Sequence, residues 1–303
     1  MTPRRIRVGR RSVELSRPDK VLFPGAGLTK ADLADYCRRI AERILPYLRE
    51  RPISMHRFPD GIAGGGFYQK EAPGSFPGWV DRVRVRVKDG GTQRQVAVNR
   101  AATLVFLADQ ACITPHPWLS RADRLDVPDR MVFDLDPPGG SFGAVRKAAR
   151  FLRAVLEDAG LAAYVMTTGS RGLHVVVPLR REHGFDVVRR NARRVAEVAA
   201  GRHPDELTVE QRKKKRGGRI LVDYLRNAYG QTSVPPYAVR AREGAPVAAP
   251  LDWCEVADAA LAPDRYRVSN IFRRLAQKDE PWQGFGRHAR SLDQARIKQL
   301  SPD

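Results

Sequence analysis

The 303-residue sequence predicts an α+β fold. Three observations carry the prediction. Apolar residues alternate with period two around 83–87, and apolar runs into 131–136 and over 173–177 and 220–225 read as strands. Segments of helical period run through 33–44, 145–155 and 186–200. The order strand, helix, strand across 131–177 places a crossover helix on the back of one sheet.

Ile6, Val8, Val13 and Leu15 alternate about Gly9-Arg10-Arg11, which predicts a short hairpin. Ser16 to Gly27 reads as a Pro- and Gly-rich loop carrying Arg17 and Lys20, with Lys30 just beyond. Thr29 followed by Asp32 marks a helix start; Leu33, Tyr36, Cys37, Ile40 and Ile44 keep one face until the chain stops before Arg51-Pro52. Ile53 to Met55 is a candidate strand. Gly64-Gly65-Gly66 before Phe67-Tyr68 reads either as backbone approaching something flat or as a hairpin tip with core aromatics. Val83, Val85 and Val87 alternate with Arg82, Arg84, Arg86 and Lys88, and Asp89-Gly90 turns the chain into 93–98. That basic-faced hairpin suits phosphates or simply guards a solvated edge. Asn99 is the expected start of a helix over 101–109.

The chemistry centres on Val132-Phe133-Asp134-Leu135-Asp136-Pro137-Pro138. In a strand, Asp134 and Asp136 share one face while Phe133 and Leu135 take the other. Two carboxylates so placed repel each other, and Mg²⁺ or Mn²⁺ relieves that repulsion. The prolines end the strand and leave its acidic end at a rim. Ser141 begins the next helix and Gly160 closes it. A strand over 162–167 and the turn Thr168-Gly169-Ser170-Arg171-Gly172 follow, with His174 on the strand beyond. The turn offers hydroxyls, backbone N–H groups and a guanidinium, all suited to phosphate oxygens.

Asp186 to Ala200 is an Arg-rich amphipathic helix, and Asp205 to Gly218 a polar, basic loop. Asp223 sits in an apolar strand over 220–225 as a third carboxylate, flanked by Arg216, Arg219, Arg226, Arg240 and Arg242. It reads as a metal ligand beside Asp134 and Asp136, or as half of a buried ion pair with an arginine. From 227 to 253 the chain is extended. The last fifty residues read as helices and loops anchored by Trp253, Trp282 and Phe285.

The balance of 54 Lys and Arg against 34 Asp and Glu, net +20, favours a polyanionic partner. Cys37, Cys112 and Cys254 have no paired metal spacing and read as reduced core thiols of a cytoplasmic protein. No apolar stretch approaches the roughly 18–20 residues that span a bilayer, and no apolar segment follows the N-terminus as in a signal peptide. No linker divides the chain, so one catalytic domain over 1–303 is expected.

The ordered motifs Phe133-Asp134-Leu135-Asp136-Pro137, Gly169-Ser170-Arg171-Gly172-Leu173-His174 and Val222-Asp223-Tyr224-Leu225-Arg226-Asn227 resemble the polymerase domain of bacterial DNA ligase D, of the archaeo-eukaryotic primase superfamily. The likeness extends from Pro18-Asp19-Lys20-Val21-Leu22-Phe23-Pro24 to Pro250-Leu251-Asp252-Trp253. It implies a primase-polymerase-like fold, two mixed β-sheet modules flanked by helices around a central cleft. It also implies a DNA-dependent nucleotidyltransferase that extends primer 3′ ends at gaps or breaks, favours ribonucleotides and uses two Mn²⁺ or Mg²⁺ ions. Asp134, Asp136 and Asp223 would hold the metals. Thr168, Ser170, Arg171, His174, Arg216, Arg226, Arg240 and His116 would bind the nucleotide, with Phe67 or Tyr68 stacked on its base. Arg17, Lys20 and Lys30 would receive a DNA 5′-phosphate. Implied partners are duplex DNA with a gap, overhang or break, nucleoside triphosphates, Ku and a DNA ligase; the implied location is the nucleoid in the cytoplasm.

The sequence departs from the family pattern at Arg17, Thr168 and Arg171, and His56 stands where similar proteins often carry Lys. The chain ends without a Lys-x-Asp-Gly ligase motif, which fits a free-standing polymerase or one domain of a longer ligase. A primer-independent primase, a metal-dependent nuclease and a non-catalytic DNA-binding subunit are the alternative readings.

Overall fold

A computed structural model describes residues 3–301 except 88, 138 and 140. Lys88 of the expected basic face and Pro138 of the expected strand stop lie outside the described residues. The chain forms two units: Met1–Asp123 with Thr232–Ala248 and Arg267–Phe272, and Arg124–Gln231 with Ala249–Tyr266 and Arg273–Asp303. Because the chain passes from one to the other several times, no single linker marks a boundary.

The first unit opens with the expected hairpin, β1 (Arg4–Val8) and β2 (Arg11–Leu15), with Ile6 opposite Val13. The 16–27 segment is not all loop. It contains β3 (Val21–Phe23), which pairs with β4 (Leu28–Thr29) after Gly27 reverses the chain at φ 64°. Helix α1 (Lys30–Leu48) starts on a reciprocal Thr29/Asp32 capping box and buries Leu33, Tyr36, Cys37, Ile40 and Ile44.

Strands β5 (Pro52–Arg57), β6 (Phe67–Gln69), β7 (Arg82–Arg86), β8 (Thr92–Ala97) and β9 (Cys112–Pro117) make an antiparallel sheet in the order β6-β5-β8-β7, with β9 also on β5. In helix α2 (Ala101–Asp109) the N-cap position is Arg100, with no side-chain capping bond, and not Asn99. Asn99 instead accepts from the Glu50 N–H and donates to Asp81. The unit's first stretch closes with β10 (Ser120–Arg121).

The second unit begins with β11 (Arg124–Pro128) and β12 (Arg130–Asp136). Helix α3 (Phe142–Asp158) starts on the Ser141 hydroxyl and is followed by Gly160 at φ 72°. Next come β13 (Tyr164–Thr167), β14 (Leu173–Pro178), α4 (Phe185–Arg202), β15 (Leu207–Thr208), β16 (Ile220–Asp223), β17 (Pro250–Leu251) and α5 (Trp253–Ala257). The sheet order is β15-β16-β12-β14-β13-β17. β12 and β13 are both antiparallel to β14, so α3 is the crossover between two parallel strands with β14 inserted between them.

Three expectations are corrected here. The strand over 220–225 stops at Asp223, the strand over 162–167 begins at Tyr164, and the basic loop contains β15, paired in parallel with β16. Trp253 and Trp282 donate their indole N–H groups to the carbonyls of Ala163 and Val165, so both anchor β13. Cys37 and Cys112 are buried, where desolvation pushes their thiols up, but Cys254 is exposed. Among the described residues no helix is long and apolar enough to cross a membrane.

Candidate nucleotidyl-transfer site

In the second unit, Phe133 and Leu135 are fully buried while Asp134 and Asp136 emerge on the other face of β12. Asp223 is the register partner of Asp134 across β12 and β16. Directly opposed residues of an antiparallel pair carry their Cβ atoms about 4.5–5.5 Å apart on one face. The topology therefore gathers all three acids on one surface of two adjacent strands.

The end of β16 is held by a residue that spacing did not single out. Asn227, fully buried, accepts from the Val132 N–H at 2.8 Å and donates to the Val132 carbonyl at 2.7 Å. Its amide takes the place of a ladder partner where β16 has already ended. Asp223 itself accepts from the Leu225 N–H at 2.8 Å, which orients its carboxylate in the turn.

On the opposite flank, β14 sets His174 against Asp134, with Nε2 3.5 Å from Oδ1. Arg171 lies 3.8 Å from Asp136. Between them, Gly172 approaches β12 so closely that a Cβ would lie 2.1 Å from the Leu135 carbonyl oxygen and 2.6 Å from Asp136 Oδ1. Thr168 closes this turn: its hydroxyl accepts from the Gly172 N–H and donates to the Gly172 carbonyl. Burial first, and then the Asp134 charge, raise the Asp136 carboxyl above its usual range against the pull of Arg171, His174 and Arg226.

These oxygens fit divalent cations, since two like charges share a face with a third acid in register. Among the described residues no group of three or more His, Cys, Asp or Glu side chains is placed to hold a metal ion by itself. Ser170 lies in the same turn, half-buried. Arg216 is tied to its own loop, donating to the carbonyls of Glu210 and Gln211.

The first unit holds a second group. His56 on β5 is opposite Tyr68 on β6, and their rings stack at 4.2 Å and 7°. His116 shares that face, 5.5 Å from the Tyr68 ring. Burial, then the Arg240 charge, lower the His56 pKa, which brings Arg240 to the same neighbourhood. Arg240 and Arg242 belong to the first unit, Asp223 to the second. Phe67 points the other way, opposite Arg57, whose guanidinium lies 5.9 Å from its ring. Phe67 and Tyr68 are exposed, not core. The flat object that the glycine run approaches is Phe58, whose ring would lie 2.5 Å from a Cβ on Gly66. His56 was the residue sequence reasoning left without a role. Its position opposite Tyr68 follows only from strand register.

The three cations assigned to a phosphate also cluster in the first unit. Arg17 is exposed, and Lys20 Nζ is 2.8 Å from Asp60. Lys30 is turned inward, 3% exposed, with its ammonium 3.1 Å from Ser16 Oγ and 3.3 Å from Asp109. Burial lowers its pKa despite Asp109, and the charges of Arg17 and Lys20 lower it further.

An acidic strand face beside a hydroxyl- and arginine-bearing turn suits chemistry at phosphorus, nucleotidyl transfer among it. The sequence model of the LigD primase-polymerase domain matches residues 29–282. The chain belongs to that family. It is 34% identical over 292 residues to the multifunctional non-homologous end joining protein LigD of Pseudomonas aeruginosa, covering 95% of this chain and 34% of that protein. It is 35% identical over 269 residues to the LigD protein of Mycolicibacterium smegmatis, covering 87% of this chain and 34% of the relative. The chain thus spans about a third of the length of these relatives. Among solved structures it is similar to the polymerase domain of Mycobacterium tuberculosis ligase D in complex with DNA, with TM-score 0.85 and 30% identity, over 91% of this chain and 99% of that one.

Proposed function

We propose that the chain is one catalytic domain that extends primer 3′ ends at gaps or double-strand breaks during end joining. Its substrates are then duplex DNA with a gap, overhang or break and nucleoside triphosphates, with ribonucleotides favoured. Ku and a DNA ligase are its working partners at the nucleoid. The observation that carries the proposal is the register of Asp134 with Asp223, with Asp136 on the same face.

In this reading Asp134, Asp136 and Asp223 hold two Mn²⁺ or Mg²⁺ ions. When bound, such ions lower the pKa of the primer hydroxyl and take up charge on the triphosphate. The chain's own residues do the rest. The primer 3′-oxygen attacks the α-phosphorus, the bond to the β-phosphate oxygen breaks, and pyrophosphate departs as the hydroxyl proton passes to water. Thr168, Ser170 and Arg171 bind phosphate oxygens, His174 orients Asp134, and Arg216 and Arg226 add positive charge. Tyr68 stacks on the base, with His116 and Arg240 on the same face as contacts to the nucleotide. Arg17 and Lys20 receive the 5′-phosphate, with Lys30 beneath them.

The test is extension of a gapped duplex with each NTP and dNTP, in Mg²⁺ or Mn²⁺, by the chain and by D134A and D136A variants. Extension should vanish in both variants while DNA binding persists. Retained extension overturns the metal assignment, and synthesis without a primer would make the protein a primase instead.

A further inference from the structure

The β1–β2 hairpin has no role in the polymerase reading and lies N-terminal to the 29–282 family match. Residues 4–15 carry five arginines, Arg4, Arg5, Arg7, Arg10 and Arg11, against one carboxylate, Glu14. An isolated two-stranded ribbon is marginal in water. This one is held because Val13 and Leu15 are buried and β2 packs on α2. Arg11 adds a cation–π contact, 5.1 Å from the Trp79 ring.

With Ile6 and Val8 sharing the face of Val13 and Leu15, the register turns Arg5 and Arg7 outward beside Ser12 and Glu14, and Arg10 stands in the turn. All five arginines are exposed. The only ion pair in the hairpin among the described residues, Arg5 with Glu14 at 3.7 Å, is solvent-exposed and worth little. Among the described residues Arg4, Arg7 and Arg10 have no side-chain hydrogen bond or ion pair. Crowded guanidiniums on a rigid ribbon suit a regular polyanion, whose condensed counterions they displace.

The hairpin is also anchored to the cationic cluster. β2 runs through Leu15 into Ser16, whose N–H and hydroxyl both donate to Asp109, the partner of Lys30. Arg17 and Lys20 follow directly. We infer that Arg5, Arg7 and Arg10 grip the phosphate backbone of duplex DNA. In doing so they extend the bound surface away from the 5′-phosphate. The placement on a downstream duplex rests on the Arg17/Lys20 reading above; the grip on duplex itself does not.

The probe is a labelled gapped DNA with a 5′-phosphate and either a long or a short downstream duplex arm, titrated by fluorescence anisotropy over a salt series. A triple variant, R5A/R7A/R10A, should lower the slope of log affinity against log salt by about 2 to 3 on the long arm, at ~0.9 for each phosphate no longer neutralised. It should leave the short-arm slope and the extension rate unchanged. The matching lysine variant, which keeps the charge, should restore the slope. An alanine variant with the parental slope on the long arm overturns the inference. So does a loss that appears only toward an acidic protein. Failure of the parent chain to extend primers would sink the polymerase reading and leave this binding result standing.

Discussion

Gly172→Ala adds one carbon where the turn before β14 meets β12. Its Cβ would lie 2.1 Å from the Leu135 carbonyl oxygen, and ordinary contact begins at 3.4 Å, so backbone must yield by about 1.3 Å. Neither side yields easily. Leu135 is fully buried and paired with Leu173, while the turn is stapled by the Thr168 hydroxyl. Overpacking of this kind costs ~1–3 kcal/mol of stability. The same displacement moves Asp136, whose Oδ1 would lie 2.6 Å from the new carbon. A shift of ~1 Å in a reacting constellation costs on the order of 100-fold in rate. Thermal melting should therefore fall modestly, while single-nucleotide extension on a gapped duplex falls far more. A variant that melts lower but extends at the parental rate would refute the claim that this glycine sets the position of Asp136. Unchanged melting and unchanged extension would refute the packing argument itself.

Three further predictions follow from the same geometry. His56→Ala should raise KM for the nucleotide two- to tenfold with kcat held, since a stacked aromatic pair is worth about 0.5–1.5 kcal/mol, and His56→Phe should restore it; equal KM in all three proteins would show that Tyr68 needs no support. Lys30→Met should destabilise the protein by about 3 kcal/mol by leaving Asp109 buried without its ammonium, whereas Lys20→Ala should leave melting unchanged and weaken only the preference for a 5′-phosphorylated gap, outcomes read by calorimetry and by competition binding. Burial raises the Glu255 carboxyl, but Arg274 at 2.8 Å, the Asp252 N–H and Lys278 outweigh it and hold the group at about 2. A depressed acid stabilises fully above its unfolded value and loses that contribution as pH falls toward 2, so roughly 2–3 kcal/mol should disappear between about pH 4.5 and 2; Glu255→Gln should flatten that part of a denaturation-against-pH curve.

The sequence by itself determined what depends on near neighbours along the chain. The Thr29/Asp32 cap, the Gly9 hairpin and the alternation that puts Asp134 and Asp136 on one face rest on local hydrogen bonds and strand periodicity. The ordered motifs pointed to the family by resemblance. Tertiary structure decided what depends on pairing between distant segments, because register is set by ladder bonds and side-chain burial that no local pattern records. Only that pairing puts Asp223 opposite Asp134, with Asn227 completing the edge. Only pairing stacks Tyr68 on His56 and sets Phe67 opposite Arg57. It also assigns Arg240 to the first unit and turns Lys30 inward onto Asp109, since a long cationic side chain goes wherever the fold places its counter-charge.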